Sequence, residues 1–228
     1  MYDIIFISYH EPNAEENFTN LNDRFNSIGL YGERVKRVKN VKGIHNAHVE
    51  GAKLASTSYF FVVDGDAVIV DDFDFDYVTK DKDMVHVYRC MNPINDLVYG
   101  YGGVKLLPTW LVRNMDTTTN DMTTSISKNF KVLNKISNIT AFNTDPFNTW
   151  KSAFRECAKL SSKTIDRQKQ GETDERLKTW TTVGQDRQYG EYALAGATAG
   201  MEFGLSSGSD LGLINNFEWL KEQFNGNT

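Results

Sequence analysis

Tyr59-Phe60-Phe61-Val62-Val63-Asp64-Gly65-Asp66 is the stretch on which the reading of this 228-residue chain turns. Five apolar residues in a row, closed by a turn, describe a short strand buried on both faces, as strands of parallel sheets are. The run is far too short to cross a bilayer. It ends in two carboxylates flanking one glycine, and that glycine permits a turn tight enough to bring both acids to one cation. Hard oxygen ligands of this kind suit Mg²⁺ or Mn²⁺, with a diphosphate completing the shell.

Working outward, Asp3-Ile4-Ile5-Phe6-Ile7-Ser8 reads as a second buried strand. Ala14, Phe18, Leu21, Phe25 and Ile28 recur at helical spacing, with Gly29 as a cap. Residues 34–38 offer a short strand, and Ile44 to Thr57 a helix of small and apolar contacts. Strand, helix, strand, helix, strand and acidic turn together make the βαβαβ half of an open parallel sheet, whose ligands bind beyond the carboxyl ends of the strands. Tyr9, His10 and Glu11 follow the first strand and Asp64 to Asp66 the third, so both segments are expected at one cleft.

Beyond the acidic turn the pattern is less regular. Residues 84–89 and 139–143 read as strands. Residues 149–160 read as a helix with Trp150, Ala153, Phe154, Cys157 and Leu160 on one side, and 186–203 and 215–224 as further helices. Residues 116–124, rich in Thr, Asn and Asp, read as an exposed loop. The alternation Asp72-Phe73-Asp74-Phe75-Asp76 describes an edge strand or loop with one buried face. His86, between Val85 and Val87, reads as a packed strand residue, and the four histidines have no zinc spacing.

Composition narrows the field. Hydrophobic residues make up 40 % of the chain, enough for a proper core. Cys90 and Cys157 are the two cysteines, which excludes a disulfide framework and predicts buried thiols. The N-terminal stretch has no signal-like pattern, so the expected location is cytoplasmic, with no membrane contact. Net charge is −5, against a generally basic nucleic-acid coat. Residues 128–170 nevertheless carry nine Lys or Arg against three acids, while residues 64–83 carry eight acids against two lysines. An acidic pocket beside a basic flank suits a metal-bound donor and a polyanionic acceptor.

Tyr99-Gly100-Tyr101-Gly102-Gly103-Val104 either forms an ordinary turn or lets backbone at Gly102 and Gly103 approach a sugar on which Tyr101 stacks. Asp145, before Pro146 and a helix, reads as an N-cap or as a general base, with Asp186 in reserve for the latter. Lys151, Arg155 and Lys159 share one helix face, which is a solvated face or, with Trp150 and the neighbouring lysines, a track for a phosphate backbone.

The segment from Gly43 to Ala55, followed by Tyr59 to Asp66, resembles the donor half of GT-A glycosyltransferases, over about residues 2–76. The resemblance implies a GT-A-like α/β fold: a Rossmann-type βαβαβ half, a mixed central sheet and a helical acceptor-side C-terminal half. It implies one such domain over residues 1–228, with a nucleotide-sugar half at 1–83 and an acceptor half at 84–228. It puts Asp64 and Asp66 at the metal and ribose, with Gly65 between them. Ser8, Tyr9 and Glu11 then line the nucleobase pocket, and Lys42 or His45 lies near the diphosphate. A C-terminal histidine often supplies the third metal ligand in that fold; none follows His86 here. Residues 101–106, 145–156 and 214–220 are similar to bacteriophage-encoded glycosyltransferase-like proteins. That likeness implies a duplex DNA acceptor carrying 5-hydroxymethylcytosine, a UDP-linked donor and a host-cytoplasmic location. The alternatives are a saccharide or protein acceptor, a GT-A-like binding protein without turnover, and a nucleotidyltransferase.

Overall fold

A computed structural model describes residues 1–26, 34–100, 102–119, 122–163, 169–206 and 208–227. Ile28, Gly29 and Tyr101, each singled out above, and Arg167, one of the nine cations counted over 128–170, lie outside the described residues. By packing, the chain divides into two compact units: residues 1–91 with 98–141, and residues 92–97 with 142–228.

The first unit is built on a sheet. β1 (Asp3–Ser8), β2 (Val35–Lys39) and β3 (Tyr59–Asp64) are parallel, with β1 in the middle. Their apolar side chains bury completely on both faces: Ile4, Ile5, Phe6 and Phe60 to Val63 are all 0 % exposed. α1 (Ala14–Asn26) and α2 (Ile44–Leu54) are the crossovers. α2 lies so close on β1 that a methyl group at Gly51 would sit 3.0 Å from Ile5 Cγ2.

β4 (Ala67–Ile69) leaves the acidic turn, and β5 (Val85–Met91), β6 (Val98–Tyr99), β7 (Val104–Pro108) and β8 (Phe130–Thr140) complete the sheet. Its order is β2-β1-β3-β7-β5-β8-β4, with β6 on β5. β7 runs antiparallel to both β3 and β5, and β5 runs parallel to β8. A Rossmann-type half therefore continues into a mixed sheet, the GT-A-like arrangement expected from the sequence. Short helices α3 (Thr109–Arg113) and α4 (Met122–Ile126) follow β7, so the loop expected over 116–124 gives way to helix at Met122. β8 begins nine residues before the strand expected at 139. Phe73 and Phe75 are buried and the aspartates around them are exposed, a loop with one apolar face.

The second unit is helical: α5 (Pro146–Ser161), α6 (Gln170–Thr182), α7 (Gly190–Leu205), a 3₁₀ turn (Leu211–Asn215) and α8 (Phe217–Asn227). α5 and α7 pack with backbones almost touching. Methyl groups at Gly196, Gly200 and Gly204 would lie 2.3, 2.2 and 2.4 Å from the carbonyl oxygens of Trp150, Phe154 and Ala158. Both cysteines are buried thiols, and His86 is fully buried in β5. No helix of the described residues is long and apolar enough to cross a membrane.

Candidate functional site

The Asp-Gly-Asp turn is pinned at both ends by backbone. Asp64 N donates to Gly103 O (2.8 Å), and Ala141 N donates to Asp66 O (2.7 Å). Gly65 packs against the segment that follows β1, where a methyl group would lie 2.6 Å from Glu11 Oε2 and 3.0 Å from Ser8 Cβ. Asn17 of α1 donates to Gly65 O (2.9 Å). The carboxyl ends of β1 and β3 thus meet as the topology requires, bringing Ser8, Tyr9, Glu11, Asp64, Gly65 and Asp66 together. Glu11 is held in place by Tyr9, whose backbone N–H donates to Oε2 (2.6 Å).

Beside them, at the ends of β1 and β2, lies a cavity of about 210 Å³ lined by Ser8, Glu11, Glu15, Arg37, Lys39 and Asn40. Arg37 donates to Ser8 Oγ (3.2 Å) and forms an ion pair with Glu15 (2.7 Å). Lys39 also pairs with Glu15. The volume is below that of sites that enclose a drug-sized ligand, and suits one ring system with polar edges.

The two acids of the turn differ in surroundings. Asp64 Oδ2 accepts from Gly103 N–H (3.0 Å) and from the Lys105 ammonium (2.9 Å). Oδ1 accepts nothing among the described residues, and the side chain is 33 % exposed. Burial would raise its pKa, but Lys105, His48 and the Gly103 N–H outweigh that and hold the carboxyl below its usual range. Asp66 has no comparable cation. Burial, then the charges of Asp64 and Glu11, push its pKa up to about 7. Three crowded carboxylates with one cation between them have the electrostatics of a site that gains by taking up positive charge. Among the described residues, no group of three His, Cys, Asp or Glu side chains is placed to hold a metal ion. A divalent ion at this turn would have Asp64 Oδ1 and Asp66 as its candidate protein ligands and would draw its other ligands from water and phosphate oxygens.

Sequence reading missed two residues here. Lys105 interrupts the apolar run Val104-Lys105-Leu106-Leu107, and a charged residue in such a run needs a partner, which was the available signal. It pairs across the strands with Val62, so Asp64, two residues along β3, is its diagonal neighbour on the same face. His48, one turn beyond His45 on α2, is 1 % exposed. Its Nδ1 lies 2.8 Å from Ile44 O, and Nε2 is buried without a partner among the described residues. Burial, then the positive charge of Lys105, push its pKa down to about 4, so the ring is neutral at pH 7.

The other sequence candidates fall as follows. His45 is nearly buried near the start of α2, with Nε2 3.2 Å from Thr119 Oγ1. Lys42 is exposed, and its carbonyl accepts from Asn46 (3.2 Å). Gly102 and Gly103 have φ of +149° and +77° and run against Asp64 and Asn138, so the glycine-rich segment borders the acidic turn.

In the second unit, Asp145 caps α5, accepting from Asn148 N–H (2.8 Å) with one oxygen and from the Asn148 amide with the other. Asp186 is exposed in a turn. Trp150 is fully buried and stacked on Phe154, so its large apolar ring serves the core instead of an open acceptor surface. Lys151 donates to Asn148 Oδ1 (2.6 Å) and lies over the Phe217 ring at 4.5 Å. Arg155 donates to Ile214 O (2.8 Å) and Asn215 Oδ1 (3.0 Å). These two cations tie α5 to the C-terminal segment.

No family model and no curated protein matches the chain. Among solved structures, the fold is similar to a glycosyltransferase involved in glycosylation of the major capsid of PBCV-1, at 16 % identity and a TM-score of 0.37, covering 58 % of this chain and 82 % of that one. HddC from Yersinia pseudotuberculosis gives 11 % identity, a TM-score of 0.37 and coverage of 60 % and 90 %. Residues 1–349 of S. aureus TarS give 11 % identity, a TM-score of 0.38 and coverage of 100 % and 89 %.

Proposed function

We propose that this chain is a metal-dependent glycosyltransferase that takes its sugar from a nucleoside-diphosphate donor. The observation that carries the reading is the meeting of the β1 and β3 ends, where Asp64, Asp66 and Glu11 crowd beside a small polar cavity. In this reading the cavity at Ser8, Arg37 and Asn40 takes the nucleobase, and Asp64 and Asp66 hold Mn²⁺ or Mg²⁺. A divalent ion bound there would supply Lewis-acid neutralisation of the leaving diphosphate. The chain's own residues position that charge: Gly103 N–H and Lys105 orient Asp64, and Tyr9 N–H orients Glu11.

For the acceptor the proposal follows the sequence likeness: 5-hydroxymethylcytosine in duplex DNA, with a UDP-linked sugar. Lys128 and Lys131 support it, exposed and without an ion-pair partner among the described residues, ready for phosphate contacts that position DNA without reading its sequence. Asp145 and Asp186 are the two candidates for the base that deprotonates the acceptor hydroxyl.

A thermal-shift screen of nucleotide sugars with and without Mn²⁺ tests the donor side, since a bound donor stabilises the native state by mass action. We expect one nucleotide series to raise Tm, by more with the metal than without it, and Asp66→Ala to remove the metal-dependent part of the rise. No shift with any nucleotide sugar would overturn the reading. Incubating the responding donor with hydroxymethylated and unmodified duplex DNA tests the acceptor, and product on neither removes DNA from the proposal.

A further inference from the structure

We infer that Lys105 is a donor-binding residue, whose ammonium is a built-in second cation for the diphosphate, so that the site retains donor affinity when no divalent ion is present. The inference rests on the donor reading above and goes beyond it, because that reading gives all the positive charge to the metal.

The Lys105 side chain is 9 % exposed, and its ammonium makes one hydrogen bond among the described residues, to Asp64 Oδ2. An ammonium has three donors, so two remain. A lysine stripped of most of its water is a stronger electrostatic partner than a surface lysine, since little solvent screens it. Its position is fixed by the β3–β7 ladder, in which Lys105 pairs with Val62. Asp64, which it holds, is the most open part of the pair and faces the same turn as Asp66. His48 is buried beside this pair, with Nδ1 at Ile44 O and Nε2 unpartnered among the described residues. Gly102 and Gly103 add backbone without side chains along the same edge, where a methyl group at Gly102 would stand 3.5 Å from Asp64 Oδ2. The resulting arrangement is a fixed monovalent cation with spare donors beside two carboxylates that can take a divalent one. A diphosphate laid there meets both charges.

The test is calorimetric titration of the full chain with UDP, GDP, CDP, ADP and dTDP, each in Mn²⁺ and in EDTA. For the nucleotide that binds, we expect chelation to weaken wild-type affinity by about tenfold without abolishing it. Lys105→Met should lose saturable binding in EDTA while still binding in Mn²⁺. Wild-type binding that vanishes in EDTA overturns the inference and leaves the donor reading standing, as does a Lys105→Met protein that binds in EDTA like wild type. No binding of any nucleotide in either condition overturns the donor reading and the inference with it.

Removing one partner of a part-buried ion pair is strongly destabilising. If Lys105→Met does not fold, Asp64→Asn/Lys105→Met, which removes both charges together, takes its place. That variant should lose saturable binding in EDTA; binding in EDTA like wild type overturns the inference.

Discussion

A methyl group on Gly65 would stand 2.6 Å from Glu11 Oε2, so the acidic turn and the segment after β1 leave room for a hydrogen atom and nothing larger. Gly65→Ala must therefore push Glu11 off the Tyr9 N–H, or lift the turn away from Ser8. We expect a stability loss of about 1–2 kcal/mol, as for overpacking elsewhere, and a loss of nucleotide affinity of tenfold or more. Urea denaturation and calorimetric titration measure the two. A variant with unchanged affinity would separate Glu11 from the donor site.

Two groups near the acidic turn, His48 and Asp66, titrate in opposite senses across the same pH range. His48 has its pKa pushed down to about 4, so its contribution to stability is full above about 6.5 and is lost as pH falls towards 4. Asp66 has its pKa pushed up to about 7, so its contribution is full below the ordinary carboxylate range and is lost as pH rises through 7. Their effects oppose each other in the wild type. Relative to wild type, His48→Gln should lose stability with rising pH, and Asp66→Asn should gain it. The His48 part is on the order of 3 kcal/mol for its full shift. Urea midpoints between pH 4.5 and 7.5 in the absence of metal measure this, and two curves parallel to wild type would refute it.

Gly200→Ala should be among the most damaging single-methyl additions in the chain. The new carbon would lie 2.2 Å from Phe154 O, which is backbone and cannot swing aside. We expect a loss of about 2–3 kcal/mol. Gly171, near the start of α6, has nothing within 4 Å of the same position. Gly171→Ala should instead gain up to about 1 kcal/mol from helix propensity. Thermal unfolding of the two variants side by side is the measurement.

Asp145→Ala should cost about 1 kcal/mol through the lost α5 cap, whereas Asp145→Asn, an equally good cap, should leave stability within a few tenths of a kcal/mol. With folding preserved, the asparagine variant isolates the chemistry. A hundredfold fall in turnover assigns the base to Asp145, and unchanged turnover passes it to Asp186.

The part of the fold that sequence made legible is the part buried on both sides. β1 and β3 read as strands because nothing polar interrupts them, and α1 and α2 follow from their apolar spacing. β8 began too late in the reading because its first half is exposed: Lys131, Asn134 and Lys135 break the apolar signal. α6 escaped because Thr173, Leu177 and Trp180 are its buried residues in an otherwise polar run. At the site, the acids and Glu11 were legible from strand ends. Lys105 was not, since its partner lies 41 residues away and only the β3–β7 register joins them. Trp150, Lys151 and Arg155 looked like a binding surface because sequence records the helix face but not the aromatic C-terminal segment that covers it.

The reversed direction of β7 has a consequence for how such a site can change over time. At the rim where β3 terminates, parallel neighbours contribute loops, whereas β7 contributes its opening residues. The ammonium is thereby anchored by ladder hydrogen bonds rather than by a tether, and the connection from Tyr99 to Gly103 could lengthen or shorten without displacing it. Variation in what the rim accepts and constancy in the charge beneath it are assigned to different stretches of chain.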